Sequence, residues 1–304
     1  MVRRAGQVPT NNLRAIGLMV IAMVGFAIGD TLIKLSSLGG TDGASAGQIL
    51  VVQGVFGTLI FGTLMWRSGE RLTKALVSDW LVIGRSISDI VAATCFITAL
   101  TLMPVGNASA ILQVQPIVVT LAAVLFLGEQ VGWRRWLAIG IGFIGVIVVI
   151  RPGLDGFNPA SGFVLAAVIS LSVRDLLTRV LDPVHSTQSV AFLVSALLIP
   201  FGALVHFMSG ADHGVAALPA AYLVASTVFV MGAYYSLTQS LRIGEISAVA
   251  PYRYSRLVAA FIAAFVLLGE RPDNLTIIGS ALVILAGLMV LRGQTQRPPH
   301  QEVV

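Results

Sequence analysis

Apolar runs, most of them about 18 to 25 residues long and so able to cross a ~30 Å hydrocarbon core, follow one another along this 304-residue sequence. They leave no stretch that could fold as a separate soluble domain. Only 11% of the residues are charged, against about 25% in a soluble domain, and mean hydropathy is +0.90. The chain therefore reads as an all-α integral membrane protein with ten transmembrane helices. They lie approximately at 14–36, 45–66, 81–103, 106–127, 135–150, 160–181, 187–209, 217–241, 246–268 and 274–292. Turn signals fall between the runs: "GGTDG" at 39–43, Pro104 to Asn107, "RPGLDG" at 151–156, "SGADHG" at 209–214 and "RPD" at 271–273.

Charge sets the orientation. With a cytoplasmic N-terminus, the inner loops and tails receive Arg3, Arg4, Arg14, Arg67, Arg71, Lys74, Arg134, Arg135, Arg242, Arg292 and Arg297, and the outer side keeps Arg151 and Arg271. The positive-inside rule then places both termini in the cytoplasm of a bacterial-type inner membrane, as an even number of spans requires. The first run follows basic residues as a signal peptide would, but many spans follow it and no small-residue cleavage site breaks it, so it is expected to be retained. The net charge of +5 is scattered between spans rather than gathered into a stripe, which excludes nucleic acid as a partner. The lone Cys95 has no disulfide partner.

The sequence repeats itself. A shift of 145 lays Gly17 on Gly162, Asp30 on Asp175 and Lys34 on Arg179; a shift of 141 lays Leu100 on Leu241, Gly128 on Gly269, Glu129 on Glu270 and Arg151 on Arg292. Between a cytoplasmic tail at 1–13 and another at 294–304, two units at 14–153 and 154–293 would each hold five helices. Because five is odd, the second unit enters the membrane upside down, the inverted-repeat architecture of many secondary transporters.

Pro116 followed by "LGE" at 127–129, "GFIGVIVVIRPG" at 142–153 and "LLGERPD" at 267–273 resemble the drug/metabolite transporter superfamily, specifically proteins with two EamA-type repeats. The resemblance covers essentially the whole chain. It implies a solute cavity in the middle of a ten-helix bundle, in a family whose members move amino acids, nucleosides, vitamins, S-adenosylmethionine or drugs. One departure stands out: Pro251 lies 19 residues before Glu270, whereas Pro116 lies 13 before Glu129, so spans four and nine need not bend at matching heights.

Ionisable side chains inside a span cost about 2.5 to 3.5 kcal/mol each on insertion scales, so they face the bundle interior or water. Asp30 and Lys34, Arg85 and Asp89, and Asp175 and Arg179 are each spaced i,i+4 and can meet on one helix face. Each pair either neutralises itself, with Lys34 and Arg179 snorkelling to opposite interfaces, or serves a solute. Asp30 follows "GFAIG", whose small residues permit close helix approach and leave room for solute or water, and is the leading candidate for a proton-coupled or gating carboxylate. Asp175, beside Arg174, reads as structural. Within "APYRYSRL", Arg253 and Arg256 share a face beside Tyr252 and Tyr254; either they serve a solute, since guanidinium forks suit acceptor-rich or anionic groups and tyrosines stack on rings, or they neutralise Asp30, Asp89 or Asp175 across helices. Gln113 and Gln115 flank the Pro116 bend and either line the cavity or bridge helices; Asn107, Ser109, Gln48 and Gln53 share that ambiguity more weakly. Glu129 and Glu270 end helices and read as structural.

Other signals lead nowhere. "GIGFIG" at 140–145 matches a dinucleotide fingerprint, but it lies within an apolar span and reads as a packing face. His185, His206, His213 and His300 have no metal-ligand spacing. No paired aspartates or serine–histidine constellation points to a membrane enzyme, so no catalytic residue, cofactor or metal is expected. The expected function is secondary-active transport by alternating access, spans 1–4 and 6–9 enclosing the cavity and spans 5 and 10 bracing it. The tyrosine/arginine cluster suits uptake of a flat heteroaromatic vitamin such as riboflavin; S-adenosylmethionine transport and export of amino acids or drugs are alternatives the resemblance allows. Protons, the lipid bilayer and a second copy in a homodimer are compatible partners.

Overall fold

A computed structural model describes residues 11–38, 42–70, 72–127, 132–154, 157–181, 186–210 and 214–294, all helix, turn or loop, with no strand among them. Apolar runs become helices whose starts are fixed by polar caps. Asn11 accepts from the Arg14 N–H at 3.1 Å and opens α1 (Asn12–Ser37). Ser45 and Gln48 form a capping box at the head of α2 (Ala46–Arg67). A short α3 (Lys74–Ser78) leads to α4 (Trp80–Leu102), capped by Asp79. Then follow α5 (Val105–Leu112), α6 (Gln115–Leu127), α7 (Trp133–Ile150), α8 (Ser161–Val180), α9 (Thr187–Met208) and α10 (Ala217–Ile243). The chain closes with α11 (Ile246–Val249), a 3₁₀ turn (Ala250–Tyr254), α12 (Ser255–Leu268) and α13 (Asn274–Gln294).

Among the described residues, eight helical stretches are long and apolar enough to cross a membrane, α5–α6 counting as one and the 3₁₀ turn with α12 as another. Trp136–Ile150 of α7 and Asn274–Val290 of α13 are shorter apolar helices. The outside of the bundle is greasy, with Ile21, Leu59, Phe126, Ile144 and Val266 exposed, while the mid-helix charges turn inward. That inversion of the soluble pattern is what a lipid solvent demands. Trp66, Trp80, Trp133 and Trp136 are all exposed at one end of the bundle, where α2 finishes and α4 and α7 begin.

α1 packs chiefly on α10, α2 on α9, α4 on α8 and α7 on α13, with α12 against α1 and α6 against α8. Small residues set these crossings, since lipid offers no hydrophobic drive and helices associate through close packing. A Cβ on Gly29 would stand 2.7 Å from Val230 Cγ2, and one on Gly202 would stand 2.8 Å from Leu50 Cβ. Gly25 and Gly29 thus seat α10 against α1. In "GIGFIG", Gly145 meets Gly279 backbone at the α7–α13 crossing, so that segment is a packing face.

Candidate functional site

Span four is broken in its middle. α5 stops at Leu112 and α6 starts at Gln115, because Pro116 offers no N–H to the Leu112 carbonyl and is tolerated only in a helix's first turn. Between them, Val114 N–H tightens onto Ile111 O at 3.1 Å before Val118 N–H resumes on Val114 O. Across the bundle, span nine is irregular too: α11 gives way to the 3₁₀ turn, with Pro251 in its opening. The two breaks touch, Gln113 Nε2 donating to the Arg253 carbonyl at 3.3 Å.

Around the breaks lies a charge network. Asp30 is buried, its side chain only 6% exposed, and accepts from Arg256 Nη2 at 2.7 Å. The same guanidinium lies over Phe26 at 5.1 Å and Phe96 at 5.7 Å, a cation held by two ring faces. Arg174 is bracketed: Nη1 donates to Asp89 at 3.0 Å, while Nη2 and Nε donate to Asp175 at 2.8 and 3.0 Å. The other Asp175 oxygen accepts from Gln115 Nε2 at 2.8 Å. Arg85 stands 3.6 Å from Asp89, close enough for attraction but beyond a hydrogen bond, and donates through Nε to Thr178.

Between these groups is a cavity of about 200 Å³ lined by Phe26, Gln113, Gln115, Arg174, Tyr234, Arg253, Tyr254 and Arg256, with Met23, Leu112, Pro116, Leu171 and Leu237 as its apolar wall. Arg253 lines the cavity and is exposed. Tyr234 is fixed edge-on to Phe26 and Phe61, at ring separations of 6.4 and 5.9 Å.

One end of the bundle, where α1, α4 and α12 finish, is latched. Lys34 Nζ donates to the carbonyls of Thr101 (3.0 Å) and Met103 (3.3 Å), orphan acceptors at the end of α4. Glu270 accepts from Val105 N–H at 2.9 Å and so caps α5, whose own N-cap, Pro104, supplies no side-chain acceptor. Burial pushes the Glu270 carboxyl above its ordinary range, with the Val105 N–H and the Lys34 charge pulling it partly back. Beside the latch, Arg151, in a left-handed conformation at the end of α7, bonds Asp273 and Thr276. That bond holds the Asp273 carboxyl well below the usual carboxylate range.

The structure thus brings Asp30, Arg256, Arg253, Tyr254, Gln113 and Gln115 to one place, with Arg85 and Asp89 in the adjoining network. Of the partners open to Asp30, Lys34, a helical turn further on, reaches away to α4, and Arg256 from α12 is the one that meets it. Tyr252 is 42% exposed and does not line the cavity. Asp175 pairs with Arg174 and Gln115, while the Arg179 side chain, Glu129, His185, His213 and His300 lie outside the described residues. Asn107 accepts from Thr276 and Gln48 serves its capping box. Sequence reasoning missed Tyr234 and Phe26 as cavity wall and took Arg174 only as a structural partner. The paired tyrosines of "MGAYYS" at 231–236 were the available signal for Tyr234.

A sequence model of the EamA-like transporter family matches residues 13–151 and again 159–292. An S-adenosylmethionine uptake transporter of Rickettsia prowazekii is 29% identical over 65% of this chain and 67% of its own length. A riboflavin transporter of Rhizobium johnstonii is 24% identical over 72% of each chain. The pseudopaline exporter CntI of Pseudomonas aeruginosa is 26% identical over 90% of this chain and 95% of its own. One solved crystal structure superposes with a TM-score of 0.61 at 17% identity, over 90% of this chain and 98% of that one, a likeness of fold.

Proposed function

Because the chain belongs to the EamA-like transporter family, we propose that this membrane transporter of a small metabolite is a secondary-active carrier that works by alternating access between two inverted five-helix repeats. Helix pairing supports the inversion. Moving each helix five spans on turns the α1–α10 contact into α8–α4, and α1–α12 into α8–α6, while α2–α9 and α7–α13 map onto themselves. The breaks in spans four and nine also correspond: the shift of 141 carries Gln113 onto Tyr254 (113 + 141 = 254), although the prolines do not match. α7 and α13 complete ten spans as a peripheral brace. Tryptophans beside Arg67 and Arg134 support a cytoplasmic placement of that end, and with it of both termini.

The observation that carries the proposal is a polar cavity at mid-bundle whose ion pairs cross between the repeats. Asp30–Arg256 joins α1 to α12 and Asp89–Arg174 joins α4 to α8. With the Lys34 and Glu270 latch facing outward, rocking one repeat against the other opens that end while reshaping these pairs. Asp30 then couples to protons if it parts from Arg256 during the cycle, since protonation is the remaining way to keep a buried carboxyl at low cost. The completed pair favours a second reading in which Asp30 only ties α1 to α12.

The substrate class supported is a small polar heteroaromatic, in keeping with the S-adenosylmethionine and riboflavin named for two relatives. The test is counterflow of labelled S-adenosylmethionine and riboflavin in proteoliposomes, with and without a pH gradient. Movement of one of them is expected. Movement of neither sinks the heteroaromatic reading, and indifference to the gradient removes proton coupling.

A further inference from the structure

The cavity holds an imbalance. Among the described side chains at mid-bundle, the guanidinium groups are Arg85, Arg174, Arg253 and Arg256, and the carboxylates are Asp30, Asp89 and Asp175. Every carboxylate is taken. Asp30 holds Arg256, Asp89 lies between Arg174 and Arg85, and Asp175 is held by Arg174 and Gln115. Arg253 is left with no carboxylate in ion-pairing distance among the described residues, the Asp175 charge acting on it only from farther off, and of the three guanidinium groups that line the cavity, Arg174, Arg253 and Arg256, it is the exposed one. Its backbone is pinned, through the bond from Gln113 to its carbonyl, so the side chain is presented from a fixed base.

We propose that Arg253 is the receptor for a single carboxylate on the transported solute, so that the substrate class is a monocarboxylate-bearing metabolite rather than a neutral ring alone. The proposal rests on the transporter reading above and goes further by assigning the anchoring group. A guanidinium presents a planar fork that matches a carboxylate with two parallel hydrogen bonds. In a low-dielectric interior an unmatched cation is costly, and one arriving negative charge removes that cost. One free guanidinium balances one charge; a phosphate dianion would leave the site negative. Arg256 cannot serve in its place while Asp30 and the faces of Phe26 and Phe96 occupy it. The amide carbonyls of Gln113 and Gln115, on the same wall, suit donors elsewhere on the solute.

Two measurements on the full chain in nanodiscs test this. The first needs no solute. If Arg253 is unmatched in the empty protein, Arg253→Met raises the melting temperature by roughly 2–4 °C, whereas Arg174→Met, which takes the cation from Asp175 and leaves Asp89 only the more distant Arg85, lowers it. The second uses matched pairs that differ only by the carboxylate: S-adenosylmethionine with its decarboxylated form, and tryptophan with tryptamine. In at least one pair the acid should protect the wild type against thermal unfolding at about tenfold lower concentration than the amine. Arg253→Met should abolish that preference, and Arg253→Lys, which keeps the charge but not the fork, should retain part of it. The assignment is overturned if Arg253→Met destabilises as Arg174→Met does, if the amines protect as well as the acids, or if the preference survives Arg253→Met. The first measurement decides even where neither pair protects. Counterflow of the same compounds separates the two claims: acids bound through Arg253 but not moved leave the anchor standing and sink transport, while riboflavin moved without any preference for acids does the reverse.

Discussion

Asp30→Asn isolates the partnership on which the centre of the bundle depends. The substitution keeps shape but leaves Arg256 without its counter-charge. Its side chain is only 20% exposed, and Nε already lacks a hydrogen-bond partner among the described residues. Removing one member of a buried ion pair costs about 3–5 kcal/mol. The rings of Phe26 and Phe96 still hold the guanidinium, and a cation–π contact at a partly exposed site contributes about 1 kcal/mol, so the net loss should be on the order of 2–4 kcal/mol. For a chain of this length that is a fall of roughly 4–8 °C in melting temperature, readable by size-exclusion survival of detergent-solubilised protein after heating. Adding Arg256→Gln removes the stranded charge and should recover at least half of the loss. Adding Lys34→Gln should recover nothing, because Lys34 serves the α4 carbonyls. Rescue by Lys34→Gln, or no loss in Asp30→Asn alone, would refute the pairing.

The latch carries a pH dependence of definite sign. Burial raises the Glu270 carboxyl while it caps α5, and opening that end to water returns it to its ordinary value, so opening releases a proton and acid favours the latched end. Phe261 lines the pocket behind Glu270, so in a Cys95→Ala background the labelling rate of Phe261→Cys, divided at each pH by that of a small free thiol to remove the thiolate fraction, should fall between pH 7 and 5, and Glu270→Gln should flatten that ratio; a ratio that rises in acid refutes it. Asp273 behaves oppositely: its carboxyl is held low, chiefly by the Arg151 hydrogen bond, so its contribution to stability is present at neutral pH and disappears as pH falls through and below the usual carboxylate range. The melting-temperature gap between wild type and Asp273→Asn should therefore narrow from pH 7 to pH 3, and a constant gap would show that charge is not the cause. At the α1–α10 crossing, Gly29→Val forces a side chain into Val230 and should destabilise by about 1–3 kcal/mol, while Gly17→Val, with open space around it, should stay within about 0.5 kcal/mol in the same melting assay.

Much of the architecture was legible because the solvent imposes it. Membrane thickness fixes the length of an apolar helix, so the runs announce themselves without any knowledge of neighbours. The same holds for the turns at Pro104 and at Arg151 to Leu154, for the break beside Pro116 and for the close-packed glycines of "GIGFIG", which are local consequences of residue type. Lipid also dictates that Asp30, Asp89, Arg174 and Arg253 turn inward, and that much could be said from their positions in apolar runs. Which partner each takes could not, since both a same-helix neighbour and an arginine of "APYRYSRL" were open to Asp30. The i,i+4 spacing makes Lys34 look like the natural neighbour of Asp30, yet Lys34 reaches carbonyls 67 and 69 residues away, and the residue that meets Asp30 is 226 positions along the chain. The sequence alone determined that this chain is a helical membrane bundle with charges inside it. Only the packing of α1 against α12 and of α4 against α8 decided which charges cancel and that Arg253 is left over, because in a low-dielectric interior charge is matched by proximity in space, and proximity belongs to the assembled helices rather than to any one of them.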